Sequence, residues 1–202
     1  MKPLHALFAS LLVSGSASAA DFSFTGNFTN DNEVQEFNFS VAGSPSDVTL
    51  RTWSYAGGTN VAGAVISRGG FDPIVTLFDG TGNLISYNDD GHLVTDPQTG
   101  LGYDSLLTQN LSAGNYTATL TQFDSFAVGP LLSDGFRGID PLFSNFDGRD
   151  SHWALDIQNV NAAAVGASYV SAVSPVPEPE SYALLLAGLG LVSLVARRRL
   201  SL

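Results

Sequence analysis

The feature that most constrains this chain is a two-residue hydrophobic period that returns in short bursts and, between Asp21 and Val160, never gives way to a helical one. Phe22–Thr25 alternates apolar and polar and stops at Gly26-Asn27. Val34–Val41 places Phe37, Phe39 and Val41 on one face. Val48–Tyr55 sets Val48, Leu50, Thr52 and Ser54 against Thr49, Arg51, Trp53 and Tyr55. Successive strand side chains point to opposite faces, so this period is that of a half-buried strand. Ile74–Phe78 is continuously apolar or Thr, as a strand buried on both faces would be. Leu84–Tyr87, Ser105–Gln109, Tyr116–Phe123, Trp153–Ile157 and Ala167–Val173 complete a set of about nine segments. Asp79–Asn83 and Ser112–Asn115 read as tight hairpin turns, because Gly and Asn reach positive φ cheaply. No stretch between Asp21 and Val160 carries i, i+3, i+4 periodicity, so the prediction is one all-β domain of antiparallel strands over residues 21–174.

Charge and cysteine content exclude whole classes of function. Eight Lys+Arg stand against 19 Asp+Glu, giving a net charge of -11. Nucleic-acid binding is excluded, since a phosphate backbone must be met by clustered Lys or Arg. There is no Cys, which removes disulfides, thiolate metal sites and a Cys nucleophile together. Between Asp21 and Asp156 only Arg51, Arg68, Arg137 and Arg149 are basic, and half of all the positive charge (Lys2 and Arg197–Arg199) lies at the ends.

Both ends read as addresses. Lys2, the apolar run Leu4–Val13 and the Ala17-Ser18-Ala19 box form a secretory signal peptide over residues 1–20, with cleavage after Ala19 or Ala20. At the other end, residues 175–202, come Val176-Pro177-Glu178-Pro179, an apolar run Tyr182–Ala196, and Arg197, Arg198 and Arg199. That run would form about 22 Å of helix, a short transmembrane span. The three arginines after it hold its end on the cytoplasmic side as a membrane stop.

The order VPEP, apolar helix, RRR resembles the PEP-CTERM sorting signal of Gram-negative bacteria. That resemblance implies recognition by exosortase, an integral-membrane protease that cuts at the Pro-Glu-Pro and removes the helix. Val176, Pro177, Glu178 and Pro179 would then be a processing site on this protein. A proline on each side of Glu178 keeps the segment extended, as a protease substrate strand requires.

The domain between the ends resembles the bacterial pre-peptidase C-terminal domain, a jelly-roll-like β-sandwich. The matching wording is FSFTGNFTNDNEVQEFNFSV, DPIVTLFDGTGNLISYNDDG and DSLLTQNLSAGNYTATLTQF, which together cover Phe22–Phe123. Two departures stand out: a longer loop at 92–103, and a Gly/Phe/Asp-rich insertion at 127–151, expected as a partly ordered surface loop before Trp153–Ile157 returns as a strand.

Carboxylates and amides gather at the turns: Asp31, Glu33, Asp72, Asp79, Asn88, Asp89, Asp90 and Asp104. Hard oxygen donors from several loops suit calcium, which takes about 6–8 oxygens. Turn-forming Asp and Asn also bond their own backbone, so the same residues serve as ordinary turn formers. The resemblance implies calcium binding in some members and places Asp31, Asp72, Asp89, Asp90 and Asp104 near one end of the sandwich. Calcium is the candidate ion, and no other cofactor is indicated. No catalytic residue is assigned: His92 and His152 lie in loops, neither within G-x-S-x-G nor H-E-x-x-H.

These readings add up to a non-catalytic exported protein of the cell surface or extracellular matrix. It would be anchored transiently in the inner membrane, processed by exosortase, and associated with exopolysaccharide or biofilm. The competing expectations are a secreted hydrolase acting on matrix polysaccharide or protein, and an envelope protein whose anchor stays.

Overall fold

The computed structural model describes residues 18–171 of the 202-residue chain. The sorting motif, the expected transmembrane helix with its basic tail, and most of the expected signal peptide lie outside the described residues. Among the described residues, no helix is long and apolar enough to cross a membrane.

The strands are β1 (Ala20–Asn27), β2 (Glu33–Val41), β3 (Ser46–Thr52), β4 (Gly58–Thr59), β5 (Val65–Ile66), β6 (Pro73–Asp79) and β7 (Leu84–Asn88). They continue with β8 (Leu106–Leu111), β9 (Gly114–Gln122), β10 (His152–Val160) and β11 (Ala162–Val170). One sheet has the order β1-β10-β3-β8 and the other β11-β2-β9-β6-β7, while β4 and β5 form a separate small hairpin. All ladders between these strands are antiparallel.

The nested pairs β1·β10, β2·β9, β3·β8 and β6·β7, divided between two sheets, are the jelly roll. Its consequence for function is geometric. In this winding, the connections 28–32, 53–72, 89–105 and 123–151 all emerge at one end. The short turns 42–45, 80–83 and 112–113, with residue 161, close the other end.

The core lies between the sheets. Phe37, Phe39 and Val41 of β2, Val75 and Leu77 of β6, and Ala118 and Leu120 of β9 meet Val48 and Leu50 of β3 and Trp153, Leu155 and Ile157 of β10. Each fully buried Phe, Leu or Ile contributes about 1.5–3 kcal/mol. Phe37 meets Trp153 edge to face at 5.5 Å between ring centroids, the favoured aromatic geometry.

β6, β10 and the second half of β9 are buried on both faces because loops cover the outer faces of the sheets. The 53–68 connection lies over β10, where the Trp53 Nε1–H (2.7 Å) and the Val61 backbone N–H (3.0 Å) both donate to Asp156. The 127–151 segment is ordered over the five-stranded sheet: Phe136 packs with Val34 of β2 and Phe78 of β6, all three fully buried. That segment contains short helical turns at Leu132–Asp134, Pro141–Phe143 and Ser144–Asp147.

Most strand boundaries shift by one to three residues from the sequence expectation, the β4–β5 hairpin was not foreseen, and two of the shifts have a visible cause. β3 ends at Thr52 instead of Tyr55, because the Asp104 carboxylate accepts the backbone N–H groups of Tyr55 (3.1 Å) and Ala56 (2.8 Å) and turns the chain there. β11 occupies Ala162–Val170, earlier than Ala167–Val173, because residue 161 alone connects it to β10 and it pairs at once with Ser40 of β2.

Candidate metal centre and cavity at the loop end

Asp72, at the end of the 53–72 connection, and Asp89 and Asp90, just after β7, come from loops far apart in sequence. The winding brings the three together so that one carboxylate oxygen of each lies within 4.8 Å of the others. The Phe123 N–H donates to the Asp72 carbonyl (2.7 Å), and the buried Ser105 Oγ lies within hydrogen-bond distance of the carbonyls of Pro73 (2.7 Å), Asn88 (2.8 Å) and Asp89 (2.9 Å), with its one hydroxyl hydrogen shared among them.

Burial and mutual repulsion raise these acids. Asp72 is pushed up to about 9, chiefly by burial and then by the charges of Asp89, Asp90 and Asp104, with Arg149 opposing. Asp89 is pushed up to about 6 by burial and by Asp90. Asp90 is also raised by burial. One oxygen of each (Asp72 Oδ1, Asp89 Oδ1 and Asp90 Oδ1) is buried without a hydrogen-bond partner, as is Gln122 Oε1 at the end of β9. Buried acceptors without donors are expensive. Three converging carboxylates with unpaired oxygens fit a divalent cation of the calcium type, and Gln122 lines the same cavity as Asp72 and Asp90.

The other predicted ligands are committed elsewhere. Asp104 accepts from Thr52 Oγ1 (2.9 Å) besides the Tyr55 and Ala56 amides, so it caps a turn next to the cluster. Asn88 Oδ1 accepts from the Leu106 N–H at 2.7 Å. Asp31 accepts from the Asn145 N–H at 2.6 Å, tying the 28–32 loop to the 123–151 segment. Glu33 accepts from Thr29 and Ser168. Asp79 lies at the opposite end, where Thr81 and Asn83 donate four hydrogen bonds to it and hold its pKa low. Of the signal-cleavage residues, Ala19 and Ala20 are exposed at the start of β1, and Ala17 lies outside the described residues.

Asp72, Asp90 and Gln122 also line a cavity of about 470 Å³ walled by Tyr55, Tyr103, Phe123, Phe143 and Phe146. Arg149 closes it: its Nε donates to the Gly70 carbonyl (2.6 Å), one terminal nitrogen donates to Tyr55 O (2.8 Å) and Asp96 Oδ2 (3.1 Å), and its guanidinium lies 3.6 Å from the Tyr55 ring centroid. Asp96 also accepts from Arg68 at 2.9 Å, so the 92–103 loop is pinned. The rim is strained, with Asn145, Phe146 and Asp147 at φ of 56, 55 and 51 before Gly148. Positive φ is rare outside Gly, and for a bulky Phe it is an outlier of the kind that gathers at binding sites. Sequence reasoning did not find Gln122, Tyr103, Phe143, Phe146 or Arg149. Their only local signal is the turn composition of NFDG, which says nothing of what faces it.

The sequence matches the family profile of the PEP-CTERM protein-sorting motif at residues 175–199. The motif marks an exported protein processed by exosortase, with a cell-surface or extracellular destination. Among solved structures, the chain is similar to the pre-peptidase C-terminal domain of collagenase from Bacillus anthracis, with 12% identity and a TM-score of 0.38, over 69% of this chain and 90% of that one. No curated protein matches the sequence.

Proposed function

We propose that this is a non-catalytic exported domain, anchored transiently in the inner membrane of a Gram-negative cell and released to the surface or matrix, where it associates with exopolysaccharide. Asp72, Asp89 and Asp90 hold a calcium ion that stiffens the loop end. The observation that carries the calcium reading is the convergence of Asp72, Asp89 and Asp90, each with a buried oxygen that has no donor, which a cation would satisfy together. The ion would supply the positive charge that these crowded carboxylates lack. Because it would bind the folded domain and not the unfolded chain, it would stabilise the fold by mass action.

Two measurements test the reading. Calcium titration followed by thermal melting should raise the melting temperature, and no change at millimolar calcium sinks the metal assignment. Mass spectrometry of the mature protein should find the chain ending near Pro177–Pro179. A terminus still carrying Arg199 would mean that the anchor stays.

A second reading, a hydrolase of matrix polysaccharide or protein, draws on Asp72 and Asp89 being raised to different extents, as an acid and its partner carboxylate would be. It requires turnover that disappears in Asp89→Ala or Asp90→Ala.

A further inference from the structure

We infer that the cavity beside the carboxylate cluster binds one sugar ring of a polysaccharide, with its aromatic walls on the apolar face of the ring and vicinal hydroxyls turned to the cation-holding edge. This deepens the matrix-binding proposal and rests on its calcium site. Four observations on independent residues meet here.

The cavity, about 470 Å³, has the size of a small-molecule pocket. Its walls are aromatic on two sides: Tyr55 and Tyr103 form a pair with ring centroids 5.0 Å apart, and Phe143 and Phe123 form another at 5.0 Å. A hexopyranose has a C–H face that such rings cover, and hydroxyls around its edge that need polar partners.

The polar edge is made of acceptors. Gln122 is only 2% exposed, lines the cavity, and leaves Oε1 without a partner while its Nε2 donates to the Phe143 carbonyl at 2.6 Å. Asp72 Oδ1 and Asp90 Oδ1 are likewise buried and unpaired on residues that line the same cavity. With one oxygen from each carboxylate, these groups and Asp89 offer about four ligands toward the roughly 6–8 that calcium takes. That leaves room for water or for ligand hydroxyls to complete the coordination. Vicinal hydroxyls that complete the coordination of the ion make recognition cation-dependent.

The rim is built to hold this shape. Three consecutive left-handed residues place Phe146 and Asp147 on the cavity, and Asp31 secures the first of them through the Asn145 N–H. Strain of this kind persists only where surrounding contacts enforce it.

The test uses the domain with and without its ion. Methyl α-mannoside, methyl β-galactoside and methyl β-glucoside are the probes, with cyclohexanol as a ring lacking vicinal hydroxyls. Binding is read by ligand-observed NMR in 2 mM calcium and in EDTA, alongside melting curves that report calcium occupancy separately. At least one glycoside should bind with a dissociation constant on the order of 1 mM, as expected for one sugar ring. Cyclohexanol should not bind, EDTA should abolish the glycoside signal, and Phe143→Ala and Tyr103→Ala should each weaken it about tenfold while calcium still raises the melting temperature. Tyr103→Phe keeps the ring and should retain binding. If calcium raises the melting temperature but no glycoside binds at 20 mM, this inference is overturned and the calcium site stands. Glycoside binding unchanged in EDTA also overturns it. If calcium has no effect on melting, the calcium site fails and this inference with it.

Discussion

Replacing Asp72 by Asn isolates the electrostatics of the loop end, because Asn keeps the shape of the side chain and removes its charge. In the cation-free domain Asp72 is raised from 3.8 to about 9. The folded state therefore keeps a proton that the unfolded chain has lost, and its stability falls as pH rises through that window. By pH 7 about three pH units of it have been crossed, at about 1.4 kcal/mol each, or roughly 4 kcal/mol. Asn carries no such penalty, and its amide hydrogens can donate toward the unpaired Asp89 and Asp90 oxygens. In EDTA at pH 7 the Asp72→Asn domain should melt about 8–16 °C above the wild type, using about 2–4 °C for each kcal/mol in a domain of this size. At pH 4 the two should nearly coincide. Calcium at a hundredfold excess over its dissociation constant should stabilise the wild type by about 2.7 kcal/mol and the variant by much less. Thermal melts at pH 4 and 7, each in EDTA and in calcium, make the comparison. A variant that melts at or below the wild type in EDTA at pH 7, or a difference independent of pH, refutes the reasoning.

Asp89, raised to about 6, adds a smaller effect of the same sign between about pH 4 and 6, reduced because the group is half exposed; Asp89→Asn in EDTA should flatten the wild-type decline over that interval. Phe136→Ala should cost about 3–5 kcal/mol by denaturant unfolding and speed amide exchange in residues 127–140, since Phe136 joins that segment to Val34 and Phe78. Asp156→Ala strands the donors Ser23 Oγ, Trp53 Nε1 and Val61 N, so it should destabilise by about 3 kcal/mol and quench or shift Trp53 fluorescence; a variant as stable as wild type would show that the 53–68 cover is not held there. Gly26→Ala would put a Cβ 2.3 Å from Trp153 Cζ2 and should cost about 1–3 kcal/mol, read as a lower denaturant midpoint.

Much of the strand layout was legible in the sequence for a local reason. In Val34–Val41 and Ile74–Phe78 the period of burial is the period of the residues themselves, so β2 and β6 lie where the pattern puts them. Trp153–Ile157 shows the limit of that logic: it was readable as a strand, but burial of its outward Asp156 depends on the 53–68 loop. The end of β3 was missed because Asp104, fifty residues downstream, captures the amides that would have extended it. The 127–151 segment carries no period at all, and only the apolar outer face of the five-stranded sheet gives Phe136 a place to be buried.

The same division runs through the site. An acidic all-β domain without cysteine and a sorting motif at 175–199 are readable from the residues alone, because composition, strand period and a contiguous motif are properties of neighbouring residues. The sequence also supplied a pool of turn carboxylates without ranking them. Only the tertiary structure separated Asp72, Asp89 and Asp90, which converge, from Asp79, which serves its own turn at the opposite end, and from Asp104, whose oxygens are taken by backbone donors. The physical reason is the jelly-roll winding. It gathers four loops distant in sequence at one end, and the availability of each oxygen there depends on which donors those loops bring to it.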